Sequence, residues 1–213
     1  MQDWCGSVPG TRTMNGQSTL VQKKGLIKRI KTHLKKGAVL LIEDETLLRL
    51  FPPLRSQWKQ RGQNVSIPIT GRNAKRVLFG AINPRTGNRI ITIAPYQRQQ
   101  HFMEFLAELR RQYHTHTIAL LLDKAPCHIP NTLEGKAEKM GITILWLPKQ
   151  WSELNCMDHI WRHMKNRVAA NHQYRTVDQL ALHAHTYIMN LTNAEALTQA
   201  GLKSKKNWLR DVL

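Results

Sequence analysis

Two aliphatic runs that each end in an acid decide the fold of this chain: Ala38-Val39-Leu40-Leu41-Ile42-Glu43-Asp44 and Thr117-Ile118-Ala119-Leu120-Leu121-Leu122-Asp123. Short apolar runs of this kind predict buried strands. We therefore expect one strand over residues 38–42, running directly into the acids, and another over residues 117–122. Each strand would end at a carboxylate.

The periodicity of the remaining sequence predicts an α/β fold around these two runs. A basic amphipathic helix is expected before the first strand. The expected helices cover residues 19–36, 98–113, 131–140, 153–168, 177–191 and 197–213, and the further strands cover 77–82, 90–93 and 142–147. This order predicts a mixed five-stranded sheet flanked by helices, antiparallel at its start and parallel later. We expect a basic N-terminal segment over 1–37, a sheet-containing domain over 38–172 and a C-terminal helical extension over 173–213.

The chain carries a large surplus of positive charge. Its 213 residues include 32 Lys and Arg against 14 Asp and Glu, which gives a net charge of +18, and 41% are hydrophobic, enough to form a core. No signal-peptide pattern and no apolar run of membrane-spanning length occurs, and the three cysteines form no disulfide framework. The composition predicts a reducing, cytoplasmic location and a polyanionic partner.

The basic residues are spread along the whole chain, which suits a long nucleic acid better than an acidic membrane surface. A generic solubilising surface is the alternative explanation. No pattern for base recognition is visible, so the charge predicts contacts with phosphates only. The residues expected to make these contacts are Lys23, Lys24, Lys28, Arg29, Lys31, Arg72, Lys75, Arg76, Arg162 and Lys165.

Three of the scarce acids occupy unusual places. Asp44 and Asp123 end aliphatic strands, and Asp158 lies on or beside the apolar stripe of its predicted helix. Taken singly, a strand-end Asp can form a turn, and Asp158 can pair with Arg162 one helical turn later. Taken together, they favour a shared site, because divalent cations relieve repulsion among carboxylates, and magnesium or manganese prefers oxygen ligands. Such a site on a basic surface suits phosphodiester chemistry.

Four segments of the chain resemble one known family. They are residues 40–46, 79–87, 121–128 and 147–161, of which the third is similar to an Asp-Asn-Ala-Pro-x-His motif and the fourth to a Ser-Pro-Glu-Leu-Asn-Pro-Ile-Glu-x-x-Trp motif. The 34 residues between Asp123 and Asp158 also suit the spacing of that family. The chain thus resembles the DDE/D transposases of mariner-like elements and related bacterial insertion sequences, which share a ribonuclease H-like fold.

The resemblance implies a ribonuclease H-like catalytic domain that cuts DNA and transfers strands in DNA transposition. Asp44, Asp123 and Asp158 would be the catalytic triad and would bind two Mg²⁺ or Mn²⁺. The residues surrounding that triad would be Glu45, Lys124 and His128. The resemblance also implies double-stranded DNA partners (element ends and target), a homodimer in the DNA complex and a location at the bacterial nucleoid.

The chain departs from the family pattern at several positions. Lys124 replaces the usual asparagine after the second acid, and the prolines expected near Ser152 and at Cys156 are absent. Family members carry helix-turn-helix modules before the catalytic domain, whereas about 37 residues precede the first predicted strand. We therefore expect the catalytic part alone of a truncated, split or frameshifted element.

These departures keep other hypotheses open. One is a catalytically inactive DNA-binding remnant or regulator of a transposable element, and another is a stand-alone ribonuclease H-like nuclease. A zinc site formed by Cys127, His128, Cys156 and His159 is an alternative metal site, although their spacing matches no standard zinc finger.

Overall fold

The structure is a computed structural model, and it describes residues 16–213 except 57, 59, 63–65, 70, 125–129, 149–153 and 206. In chain order the elements are α1 (Gly16–Lys35), β1 (Val39–Arg49), β2 (Lys75–Ile82), β3 (Arg89–Ala94), α2 (Gln99–Gln112), β4 (Ile118–Leu122), α3 (Pro130–Lys139), β5 (Ile142–Trp146), α4 (Cys156–Met164), α5 (Val177–Asn190) and α6 (Asn193–Gln199). A short 3-10 helix (Trp208–Asp211) follows α6.

The five strands form one mixed sheet in the order β3-β2-β1-β4-β5. β2 is antiparallel to both of its neighbours, whereas β1, β4 and β5 run parallel. The predicted fold is therefore confirmed: a mixed five-stranded sheet with an antiparallel start, a basic helix before it and helices after it. β1 and β4, whose aliphatic runs are each followed by acids, are neighbours in the sheet.

The two faces of the sheet bury different side chains, because successive residues of a strand point to opposite sides. On one face, Leu40, Ile42 and Leu121 share a hydrophobic cluster with residues of α1, α4, α5 and α6. On the other face, Leu41 and Leu120 share a cluster with residues of α2 and α3. The first face is called the α4 face below.

β1 is longer than the sequence predicts. The expected strand ended at Ile42, but β1 continues to Arg49 because it remains paired with β2 as far as Lys75. β4 ends at Leu122 and pairs only with the first part of β1. The acids that follow Ile42 therefore lie in a strand that is still paired with β2 on one side and no longer paired with β4 on the other.

The helices near the C-terminus also differ from prediction. Of the helix expected over 153–168, α4 covers Cys156–Met164, and Lys165–Ala169 form a π-helical turn. The single helix expected over 197–213 is wrong: α6 ends at Gln199, and Gly201 follows with a φ of +69°, a left-handed conformation that interrupts a helix.

Helices from both ends of the chain pack on the same side of the sheet. α1, α5 and α6 all contribute to the hydrophobic cluster of the α4 face. The division into parts over 1–37, 38–172 and 173–213 stays a prediction. Within the residues that the structure describes, none of the helices combines the length and the apolar character that a membrane span requires.

Candidate active site

Asp44 lies within β1, beyond the part of that strand that pairs with β4, and Asp123 directly follows β4. The last pair between β1 and β4 joins Ile42 and Leu121. Asp44 and Asp123 each follow that pair by two residues, and the charge of Asp123 acts on Asp44. Adjacent strands lie about 4.8 Å apart, and every second residue shares a face. Both carboxylates therefore belong to the α4 face, with Ile42 and Leu121.

The helix that carries the third acid is tied to β1 by a side chain. Asn155 caps the N-terminus of α4, where its Oδ1 accepts a hydrogen bond of 3.1 Å from the main-chain N–H of Met157. Its Nδ2 donates a hydrogen bond of 2.7 Å to the main-chain oxygen of Glu43. One buried amide thus joins the start of α4 to the residue that precedes Asp44.

A second contact seats α4 on the sheet. Gly80 of β2 pairs with Asp44 of β1, and a Cβ atom at Gly80 would lie 2.6 Å from Cη2 of Trp161. The buried indole of Trp161 therefore packs on bare backbone next to Asp44. Because Asp158 lies between Asn155 and Trp161 on α4, these two contacts set its position relative to β1.

Asp158 itself faces outward. Its side chain is 54% exposed, and its Oδ2 accepts a hydrogen bond of 2.8 Å from Nη2 of Arg162. The ion pair with Arg162, which is the alternative explanation for the position of Asp158, is therefore present. Across the described part of the chain, no three His, Cys, Asp or Glu side chains are grouped closely enough to hold a metal ion as they stand. To join the other two acids, Asp158 would turn away from Arg162.

The acids of β1 lie in an environment that disfavours negative charge. Burial, followed by the charges of Glu45, Asp123 and Asp158, raises the pKa of Asp44 to about 8. Burial also raises the pKa of Glu43 well above its usual range, and the nearby acids Glu45, Asp44 and Asp123 add to this shift. Both other acids of the predicted triad thus act on Asp44, and a cation among them would relieve the repulsion.

The donor atoms of these acids fit a hard divalent cation. Asp44, Asp123 and Asp158 offer oxygen alone, which is the ligand that magnesium and manganese prefer. The zinc alternative fits less well. Cys156 is buried, and burial raises the pKa of its thiol to about 12, whereas zinc binds the thiolate.

The residues expected to surround the triad have different positions. Glu45 is partly buried in β1, where it contributes to the raised pKa of Asp44. Lys124 is exposed immediately after Asp123. His128 and Cys127 lie outside the described residues.

The bases expected to contact phosphates differ in their exposure. Exposed are Lys24, Lys28, Arg29, Lys31, Arg72, Lys75 and Arg162, and partly buried are Lys23, Arg76 and Lys165. Two of them are engaged with acids: Arg76 donates hydrogen bonds of 2.7 and 3.0 Å to Asp178, and Arg162 pairs with Asp158. The exposed bases of α1 lie on the solvent side of that helix, since Leu26 and Ile30 on its other side are buried.

Lys165 belongs to the neighbourhood of the acids. Burial lowers the pKa of its ammonium group, and the charges of Asp158 and Asp44 oppose this shift. It lies in the π-helical turn after α4 and lines a cavity of about 650 Å³ together with Arg49 and Phe51. π-helical turns are frequent at functional sites, and this one brings a cation next to two carboxylates.

Asn155 belongs to this site but is not among the residues expected there. A signal for it was available, because asparagine directly before a helix is a favoured N-cap. Its second hydrogen bond, to Glu43, could not be found in the same way, since it joins residues 112 positions apart.

Comparison with known proteins identifies the family to which these features point. Residues 39–181 match the profile of the family described as "DDE superfamily endonuclease". The "Uncharacterized protein y4pE/y4sA" of Sinorhizobium fredii is 30% identical over 108 residues, which are 50% of this chain and 77% of that protein. The "Insertion element IS630 uncharacterized 39 kDa protein" of Shigella sonnei is 26% identical over 140 residues, 65% of this chain and 41% of that protein.

Solved structures of a transposase show the same fold. A crystal structure of the mariner Mos1 paired-end complex with Mg matches with a TM-score of 0.67 and 14% identity, covering 100% of this chain and 66% of that one. The catalytic domain of Mos1 mariner transposase matches with a TM-score of 0.63 and 13% identity, covering 95% of this chain and 96% of that one. The sheet and helices therefore have the ribonuclease H-like fold of that catalytic domain, and the chain spans about two-fifths of the Shigella protein.

Proposed function

Because this chain belongs to the DDE superfamily endonuclease family, we propose that it is the catalytic domain of a bacterial insertion-sequence transposase. It would cut DNA at the ends of the element and transfer the cut strand to target DNA, in a metal-dependent reaction of DNA transposition. The observation that carries the proposal is the convergence of Asp44 and Asp123 on one face of the sheet, with α4 anchored beside them by Asn155.

The acids are proposed to bind divalent metal, two Mg²⁺ or Mn²⁺ ions. Burial and the charges of the neighbouring acids raise the pKa of Asp44, which supports a cation as their partner. The relative named Mos1 has been solved with Mg. When bound, such ions activate the attacking oxygen and stabilise the leaving oxygen of a phosphodiester.

The chemistry consists of two phosphoryl transfers. In the first, the oxygen of water bonds to phosphorus and the 3′ oxygen of the DNA strand leaves. In the second, the freed 3′-hydroxyl oxygen bonds to a phosphorus of the target strand, whose own 3′ oxygen leaves. Asp44, Asp123 and Asp158 would hold the metal for both steps, and the ammonium of Lys165 would orient the phosphate beside Asp44 and Asp158.

The exposed bases are proposed to contact the backbone of double-stranded DNA, both element ends and target. A net charge of +18 supports binding that depends strongly on salt. Arg162 would contact DNA only after Asp158 turns from it toward the metal. We propose further that two copies of the protein assemble on the DNA and that the protein acts at the bacterial nucleoid.

Substitution of the three acids tests the proposal. Asp44→Asn, Asp123→Asn and Asp158→Asn should each abolish nicking of supercoiled plasmid in Mg²⁺ or Mn²⁺ and leave DNA binding intact. Asp178→Asn is the matched control, because Asp178 is an exposed acid of α5 that pairs with Arg76 of β2, and this variant should cut normally. Undiminished nicking by one of the three variants would remove that residue from the triad.

The same experiments separate the alternatives. A DNA-binding remnant or regulator would bind DNA in a salt-sensitive manner and would cut with neither metal. A stand-alone ribonuclease H-like nuclease would cut DNA without element ends and would form no joined product with a target plasmid.

A further inference from the structure

β3 forms one edge of the sheet, and beyond it the structure describes no further strand of that sheet. Edge strands of natural proteins commonly carry lysine or proline, because their free main-chain groups pair readily with another chain. β3 reads Arg-Ile-Ile-Thr-Ile-Ala, with neither lysine nor proline, and its single base, Arg89, is buried. The sequence of this edge therefore leaves it open to pairing.

α5 lies over this edge strand without covering its outer side. The helix packs on β2 and β3, and Arg89 donates a hydrogen bond of 2.8 Å from its Nε to the main-chain oxygen of Ile188 near the helix end. Ile91 of β3 belongs to the hydrophobic cluster of the α4 face, so Ile93, two residues later, points to the same side. Ile93 is nevertheless 40% exposed.

The outer flank of α5 adds two exposed apolar side chains. The inner flank faces the rest of the protein, since the hydroxyl of Tyr187 contacts Gln199 of α6. With 3.6 residues per turn, Leu182 and Met189 lie on the other flank, and they are 57% and 41% exposed. Together with Ile93 and the outer edge of β3, they form what is called the β3–α5 face below.

This region lacks the positive charge that marks the rest of the chain. No lysine or arginine occurs between Arg175 and Lys203, although the 213 residues include 32 of them. On the neighbouring strands, Arg89 is buried and Arg76 is paired with Asp178. Two copies that each carry a net charge of +18 repel each other wherever free bases meet. The β3–α5 face allows two copies to approach without that repulsion, and it offers a DNA backbone little to bind.

We infer that a second copy of this chain binds at the β3–α5 face, with the two β3 edges paired antiparallel about a twofold axis. Such a contact is isologous, so each copy supplies the same surface, and the pairing satisfies main-chain groups of both edges. The outer flanks of the two α5 helices would lie beside each other across the axis and shield Leu182, Met189 and Ile93 from water.

The arrangement keeps the remaining surfaces free. α1 packs on β4 and β5, so the two basic helices would lie at the far ends of the joined sheet. The inference rests on the proposed function only for the use of a pair, since it gives a contact surface to the assembly of two copies. The contact itself requires neither DNA nor metal.

Sedimentation equilibrium without DNA tests whether the pair forms. We would use EDTA and about 0.5 M NaCl, which screens the charge repulsion, and chain concentrations up to about 100 μM, which detect micromolar affinity. The parent chain should approach twice its mass of 24.6 kDa. A parent chain that stays at 24.6 kDa, or that pairs only after DNA is added, would overturn the inference.

A lysine on the face tests where the copies meet. Leu182→Lys should raise the dimer Kd about tenfold or more, because the twofold axis brings two added charges together. Val21→Lys is the matched control, since Val21 is also an exposed apolar residue of a helix, 70% exposed on α1, and it should pair like the parent chain. Circular dichroism should show both variants folded, and equal dimer Kd values for the two would contradict the proposed surface.

Hydrogen exchange tests the strand pairing itself. Main-chain amides of residues 89–94 should exchange more slowly as the concentration of the parent chain rises, and this protection should be absent in Leu182→Lys. Concentration-independent exchange in a parent chain that forms dimers would exclude pairing through β3. Asp44→Asn should form dimers like the parent chain, so failure of this inference is distinct from failure of the proposed cleavage.

Discussion

The side-chain amide of Asn155 joins α4, which carries Asp158, to β1, which carries Asp44. Its Nδ2 donates a 2.7 Å hydrogen bond to the main-chain oxygen of Glu43. Both partners are buried. Asp158 follows Asn155 by less than one helical turn, and Asp44 follows Glu43 directly. The separation of the two carboxylates therefore depends on this bond.

Asn155→Ser should weaken metal-dependent cleavage more than it weakens the fold. Serine retains the N-cap but is too short to reach Glu43, so the buried hydrogen bond between α4 and β1 is lost at a cost of about 1–2 kcal/mol. A small displacement of α4 should lower the cleavage rate about 10- to 100-fold and raise the metal concentration that gives half-maximal activity.

Asn207→Ser is the matched control for this prediction. Asn207 likewise caps a helical turn, accepting from the N–H of Leu209 and donating to the oxygen of Gly201. It should lower the melting temperature to a similar extent and leave the metal requirement unchanged. An equal shift of the metal requirement in both variants would show that Asn155 acts only through stability.

The stability of the metal-free protein should fall as the pH rises from about 4 to about 8. The pKa of Asp44 is about 8 in the folded chain and 3.8 ordinarily. Between these values the folded chain binds the proton and the unfolded chain does not, so the slope of stability against pH is negative. Thermal melts in EDTA across this range would measure it.

Asp44→Asn should make the stability of the metal-free protein less dependent on pH and raise its melting temperature at pH 8. The raised pKa of Glu43 should preserve part of the decrease in stability with pH. Adding Mg²⁺ should stabilise the parent chain at pH 8 and not the variant. A parent chain that is more stable at pH 8 than at pH 5 in EDTA would contradict the raised pKa of Asp44.

Gly80→Ala should displace α4. The new Cβ would lie 2.6 Å from Cη2 of Trp161 and 2.7 Å from Cδ1 of Ile91, and relieving such overlap costs about 1–3 kcal/mol. Urea denaturation should show reduced stability, and the cleavage rate should fall as well. Gly135→Ala is the control, because its Cβ in α3 meets no atom within 4 Å and should add up to about 1 kcal/mol of stability.

Gly87→Ala should destabilise the chain more than Gly37→Ala. The two glycines have almost the same φ, +78° and +80°, and so share the cost of a left-handed side chain, about 1–2 kcal/mol. Only at Gly87 would the Cβ meet backbone, 2.4 Å from the oxygen of Asn193, whereas at Gly37 no atom lies within 4 Å. Equal unfolding free energies in urea would show that the overlap with Asn193 relaxes without cost.

Much of the fold could be predicted because its signals are local. The aliphatic runs of β1 and β4 each lie within one segment. So does the helical spacing of Phe102, Phe105, Leu106 and Leu109 in α2, and the structure buries these four side chains. The extension of β1 to Arg49 could not be predicted in this way, because it depends on pairing with Lys75 in another strand.

The sequence by itself determined the order of strands and helices, the positive charge and the three acids that stand out against it. Tertiary structure decided which carboxylates share a face, that Asp158 pairs with Arg162 and that Asn155 joins α4 to β1. The physical reason is that strand order and register come from contacts between segments far apart in the chain. A local pattern can place Asp44 and Asp123 after an aliphatic run. Only the packing of α4 on β1 and β2 determines how near Asp158 lies to them.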